Sequence, residues 1–151
     1  MKKNIVFLIL ITSVFLNLKA QENPVKWLFN AQLTSGNEFI LTFEAQLADG
    51  WYIYAQDPTE GPVPTTFYFS EDPNIEFLDT RIEEKGDAKI GYDPNFETEV
   101  KKYAHAVVFS THIKVKKNNA LLSGYINYMT CDAQRCLPPV DMPFEFKFKN
   151  E

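Results

Sequence analysis

Two cysteines stand with four residues between them in Tyr128-Met129-Thr130-Cys131-Asp132-Ala133-Gln134-Arg135-Cys136-Leu137-Pro138-Pro139, and the 151-residue chain has no others. A short polar turn between two thiols can bring their Cα atoms to the ~5.5 Å that a disulfide prefers. Such a pair can serve as a staple, as an exchange-active dithiol or as two thiolate ligands of a metal. As a staple it would contribute little, because the chain-entropy model gives a six-residue loop about 2 kcal/mol against roughly 4.7 for a hundred-residue loop. A bridge that only stapled the domain should join distant strands. This one would lie at a strand end, ahead of Pro138 and Pro139, which supply no backbone donors and resist continuation of a ladder. Spacing and context alone leave both the staple and the reactive pair open.

Metal ligation would need further soft ligands, and the chain offers only His105 and His112. Seven apart on one predicted strand, they fall on opposite faces unless a bulge intervenes. Both therefore cannot join the cysteines around one zinc ion, and each reads as a satisfied or solvent-facing histidine. No metal and no other cofactor is expected. No Ser sits in a G-x-S-x-G elbow, no Gly-rich loop resembles a phosphate cradle, and the acidic residues are scattered. Arg135 beside Cys136 would favour a thiolate there, while Asp132 beside Cys131 would disfavour one. Aromatic side chains form the second concentration of signal, in Trp51-Tyr52-Ile53-Tyr54 and at Tyr125 and Tyr128. Tyr52 and Tyr54 share one face of a strand and Trp51 and Ile53 the other, so one pair is expected in the core and the other along a surface.

The elements that must position these residues are strands. In Phe39 to Leu47 the odd positions are apolar and the even ones mostly polar, and Phe144, Phe146 and Phe148 alternate with Glu145, Lys147 and Lys149. Further strands are predicted over Val25 to Asn30, Trp51 to Ala55, Thr66 to Phe69, Ile75 to Leu78, Lys102 to Val115 and Leu121 to Met129, separated by Asp-Gly, Asp-Pro, Gly-Pro and Asn-Asn turn signals. No segment has convincing helical spacing and capping. Short strands with frequent turns and nothing to cover a parallel sheet indicate an all-β, immunoglobulin-like antiparallel β-sandwich. Glu83 to Thr98, with Gly86, Gly91, Asp93 and Pro94, reads as the longest loop, and long loops in compact domains are commonly functional or mobile.

Met1-Lys2-Lys3, the apolar run Ile5 to Leu16 and Leu18-Lys19-Ala20 have the three parts of a secretory signal peptide, so residues 1–20 are expected to be removed and residues 21–151 to form one domain. The formal net charge is −5. Loss of Lys2, Lys3 and Lys19 makes the remainder more acidic still, which argues against a nucleic-acid partner. Both cysteines lie in the exported part, where disulfides are permitted.

Ala48-Asp49-Gly50-Trp51-Tyr52-Ile53-Tyr54, the Cys131 to Cys136 turn with Leu137-Pro138-Pro139 behind it, and the strand order between them resemble the N-terminal domain of the thiol:disulfide interchange protein DsbD family. The resemblance spans nearly the whole exported part. It implies a periplasmic immunoglobulin-like module that takes electrons from a membrane-embedded donor and passes them to exported thioredoxin-fold proteins. Those partners would be separate polypeptides here. It further implies that Cys136 attacks and Cys131 resolves, that Tyr52 and Tyr54 flank the pair, and that Phe96 is the tip of a cap loop shielding it. Pro94-Asn95 stand before Phe96 where the family carries acidic residues, leaving Asp93 and Glu97 as approximate counterparts. The alternative is a non-catalytic immunoglobulin-like binding module that keeps the bridge as a local clamp.

Overall fold

The computed structural model describes residues 23–57, 60–117 and 119–149. The leader expected at residues 1–20 lies outside them. Among the described residues the chain forms ten strands and no helix: β1 (Val25–Ser35), β2 (Glu38–Leu47), β3 (Tyr52–Tyr54), β4 (Thr66–Phe69), β5 (Ile75–Phe77), β6 (Glu83–Asp93), β7 (Thr98–Val115), β8 (Ala120–Tyr128), β9 (Thr130–Cys131) and β10 (Val140–Phe148). The larger sheet runs β1-β2-β7-β3-β9, with β5 and β6 also paired to β7, and the smaller runs β10-β8-β4. All ladders are antiparallel. The expected immunoglobulin-like sandwich is the fold of this chain.

Its core is assembled by the alternation visible in the sequence. Leu41, Phe43 and Ala45 of β2 are buried, as are Phe144, Phe146 and Phe148 of β10, while the residues between them face outward. Phe43 is the hub: its ring meets those of Phe67, Phe144 and Phe146 at 5.1, 4.9 and 5.5 Å, all edge to face, the geometry aromatic quadrupoles favour. Val107, Phe109 and Ile113 of β7 and Leu122 and Ile126 of β8 close the same core.

Two expectations change. Glu83 to Asp93 is a strand rather than a loop, paired with β7 on both sides of a bulge at Asp87. Its charged sequence hides this, because β6 has a single neighbour and sends Lys85, Asp87 and Lys89 into solvent; a charged edge strand is also one that resists unwanted pairing. The segment expected to act as a cap is consequently reduced to the short turn joining β6 to β7. In addition, β7 is not one regular strand. It leaves β2 at Ala106 and joins β3 at Ala104, and between them His105 takes a positive φ of 66°. The register against β6 shifts at the same place, between Gly86 and Ala88. A Cβ at Gly86 would lie 3.0 Å from the Ala106 carbonyl and 3.0 Å from the Tyr103 ring, so the close approach at this bulge needs glycine. The seven-residue separation of His105 and His112 therefore does not by itself set their faces. His105 is exposed, and His112 Nδ1 pairs with Asp79 at 2.8 Å.

Candidate functional site

Cys131 ends β9 and faces Cys136 directly across an antiparallel bridge. Their sulfurs are bonded at 2.01 Å and their Cα atoms lie 4.0 Å apart, closer than the ~5.5 Å typical of disulfides. The reason is the ladder. Asp132 N–H donates to the Arg135 carbonyl and Leu137 N–H to the Thr130 carbonyl, each at 2.9 Å, which leaves the cysteines at a position with no main-chain bonds between them, where opposed Cα atoms come closest. Asp132 builds the turn. Its Oδ1 accepts from the N–H groups of Gln134 at 2.7 Å and Arg135 at 2.8 Å, an Asx arrangement. Those two backbone donors, helped by the charge of Arg135, hold the Asp132 carboxyl below the usual carboxylate range. Arg135 has its Nε 3.8 Å from Asp132 Oδ2 and its guanidinium 5.7 Å from the centre of the Trp51 ring. Its charge is thus shared with Asp132 as well as lying next to Cys136 in sequence.

The floor is β3. Tyr52 pairs with Cys131 on one side and with Ala104 on the other, and Tyr54 pairs with Lys102. Paired residues share a face, so Tyr52, Tyr54, Lys102 and Cys131 occupy one side of the large sheet while Ile53 and Tyr103 occupy the other, in the main core. The disulfide therefore sits on the outer side of that sheet. There Tyr54, Val100 and Cys131 form a small separate cluster, with Phe96, Met129 and Cys136 packed against it. Trp51 and Ile53 enter the main core as expected of one pair, while Tyr52 and Tyr54 take the outer face, which is itself covered: Tyr54 is buried and Tyr52 is half-buried.

The cover is the turn between β6 and β7. Phe96 at its tip meets the Tyr54 ring edge-on at 5.7 Å and is half-buried. Gly61 packs closely against Phe96. A Cβ there would stand 2.9 Å from Phe96 Cβ, at a backbone φ of +143°. Asp93 organises the turn. Its main-chain carbonyl accepts from Phe96 N–H at 3.2 Å and Glu97 N–H at 2.9 Å, and its Oδ1 accepts from Asn95 N–H at 3.0 Å. Glu97 is exposed and takes the left-handed φ of 55° that closes the turn. Asp93 Oδ2 accepts from Tyr54 Oη at 3.1 Å and Lys102 Nζ at 2.7 Å. Burial alone would push the Asp93 carboxyl up, but bonds from Lys102, Asn95 N–H and Tyr54, with the Lys102 charge, hold it below the usual range. Burial and the Asp93 carboxylate both push the Tyr54 phenol up.

The structure thus gathers Cys131, Cys136, Tyr52, Tyr54, Phe96 and Asp93 at one end of the large sheet, with Arg135 on the cysteine turn. Glu97 is present as a turn residue with its side chain in solvent. Lys102 was not singled out from the sequence, where a lysine on an alternating strand looks like any solvent-facing charge. Among the described residues no group of three or more His, Cys, Asp or Glu side chains is arranged to hold a metal ion. The two cysteines differ in access: Cys131 is 1% exposed and Cys136 is half-buried.

No curated protein matches the chain at the level of sequence. In structure it is similar to the DsbD N-terminal domain from Neisseria meningitidis in the reduced form, at 16% identity and a TM-score of 0.55, covering 81% of this chain and 86% of that one. It is similar also to the N-terminal periplasmic domain of ScsB from Proteus mirabilis, at 18% identity and a TM-score of 0.56, covering 85% of this chain and about half, 52%, of that one. A family model described as thiol:disulfide interchange protein DsbD, N-terminal, matches residues 20–147, from ahead of β1 into β10 and across the whole cysteine turn, and the chain belongs to that family.

Proposed function

We propose that this domain is an exported thiol-disulfide exchange module, in which the Cys131–Cys136 pair passes reducing equivalents to or from thioredoxin-fold partners in the periplasm. The observation that carries the reading is the unequal burial of one disulfide beneath an aromatic cap, with Cys131 enclosed and Cys136 partly open. In the reduced module the Cys136 thiolate attacks one sulfur of a partner disulfide, the partner S–S bond breaks, and its electron pair leaves on the other partner sulfur. The Cys131 thiolate then attacks Cys136 Sγ, re-forming the internal bridge and releasing the partner as a dithiol, so two electrons and two protons have moved. Reversal of these steps recharges the module from a donor, and a membrane-embedded dithiol is the proposed source. The leader-like residues 1–20 and the disulfide support export. The cap supports selectivity, since it leaves the sulfurs to a partner able to displace Phe96.

The test is trapping. Cys131→Ala, reduced and mixed with an oxidised exported thioredoxin-like protein, should accumulate a mixed disulfide on a non-reducing gel, because nothing remains to release it. Cys136→Ala should trap little. A stronger adduct from Cys136→Ala reverses the roles, and no adduct from either variant with any candidate partner favours a binding module with a structural clamp.

A further inference from the structure

Lys102 joins the cap to the floor beneath the disulfide. Its Nζ donates to Asp93 Oδ2 at 2.7 Å and lies 4.5 Å from the centre of the Tyr52 ring, within cation–π range. Tyr52 is the ladder partner of Cys131. Asp93 divides its acceptors between two tasks. Oδ1 and the main-chain carbonyl hold the turn together through the N–H groups of Asn95, Phe96 and Glu97, and all of these bonds are local. Oδ2 takes the bonds that leave the turn, from Lys102 on β7 and Tyr54 on β3. A longer contact, from Asn95 Nδ2 to the Asp132 carbonyl at 3.4 Å, reaches the cysteine hairpin. The Lys102 side chain is 20% exposed and that of Asp93 is 0% exposed. An ion pair so enclosed is unlike the solvent-exposed pairs that contribute little, because removing one partner leaves the other's charge buried.

We propose that Lys102 is a positioning residue for exchange: by bonding Asp93 while seated on Tyr52 it holds the cap down over the disulfide cluster, and so sets how often the sulfurs can be reached. The proposal rests on the exchange function above and adds a determinant of its rate. Without Lys102 the turn keeps its own hydrogen bonds and its shape, but loses its charged tie to the sheet. Cap shape and cap closure are thereby assigned to different atoms of Asp93.

The experiment measures the initial rate at which glutathione reduces the oxidised full chain, read by alkylation of the freed thiols, at a temperature where all variants are folded. Lys102→Met should raise the rate roughly ten- to hundred-fold, the factor by which losing a hydrogen bond to a charged group shifts an opening equilibrium. Lys102→Arg, which can keep both the charge and the ring contact, should return the rate to within about threefold of the unmodified chain. A purely structural lysine would alter melting temperature without altering the rate, and that result overturns the proposal. Lys102→Gln gives the same readout should Lys102→Met fail to fold. If Phe96→Ala accelerates reduction and the lysine variants do not, the cap gates the site without Lys102 and the proposal fails while the exchange function stands. If no variant accelerates reduction and the trapping experiment yields no adduct, the exchange function fails with it.

Discussion

Reducing the Cys131–Cys136 bond should leave the sandwich folded, and the size of the loss can be worked from the hairpin. The bridge closes a loop of only six residues, for which the chain-entropy model gives about 2 kcal/mol. The native hairpin has other means of staying in place when the sulfurs part, since the Asp132–Arg135 and Thr130–Leu137 main-chain bonds and both Asx bonds of Asp132 do not involve them. Nor does the main core depend on the bridge, because Cys131 packs in the small cluster outside it. Against a typical total of 5–15 kcal/mol, a domain of this size that loses about 2 kcal/mol should melt roughly 10 °C lower or less. Far-UV circular dichroism melts with and without a saturating phosphine reductant would measure the shift. Unfolding at 25 °C on reduction, or a fall of more than about 20 °C, would refute the reasoning and make the bridge a staple.

Phe96→Ala removes the ring that covers the disulfide cluster while leaving the turn bonds of Asp93, so reaction of the reduced pair with a small oxidant should accelerate with little change in melting temperature. A large loss of stability would instead mark Phe96 as a core residue. The pH dependence of stability carries a signature of Asp93. Its folded-state carboxyl lies below its unfolded value, so its contribution is complete above about pH 4, the unfolded value, and is lost as pH falls through the folded one. Asp93→Asn should flatten that part of the melting-temperature profile, and an unchanged slope below pH 4 would remove Asp93 from the account.

Period-two alternation was legible wherever one strand face is buried and the other wet, as in β2 and β10, and it sufficed for the fold class. It failed at β6, whose ladder with β7 is made by main-chain groups while most of its side chains meet water. Periodicity cannot register a strand whose least exposed positions are Glu84, Ala88, Gly91 and Asp93 rather than large apolar residues. It failed for a different reason at Trp51 to Tyr54, where alternation correctly separates two faces but cannot know that a distant turn carrying Phe96 covers the second. The cysteine pair was legible because thiols are scarce and their spacing constrains geometry. The Asp93–Lys102 tie was not, since it joins two ladder-adjacent elements through side chains whose types occur all over the surface.

The placement of the cysteines between, rather than at, the hydrogen-bonded rungs of their hairpin bears on repeated turnover. The rungs on either side belong to Thr130–Leu137 and Asp132–Arg135, so passage between bridged, mixed and reduced forms can be absorbed by rotation about the cysteine side-chain bonds. No peptide group has to exchange its partner for the sulfurs to separate. In the exchange cycle proposed above, rearrangement within the hairpin itself would then be confined to the two cysteine side chains, and the strands that carry them would serve as a reusable holder.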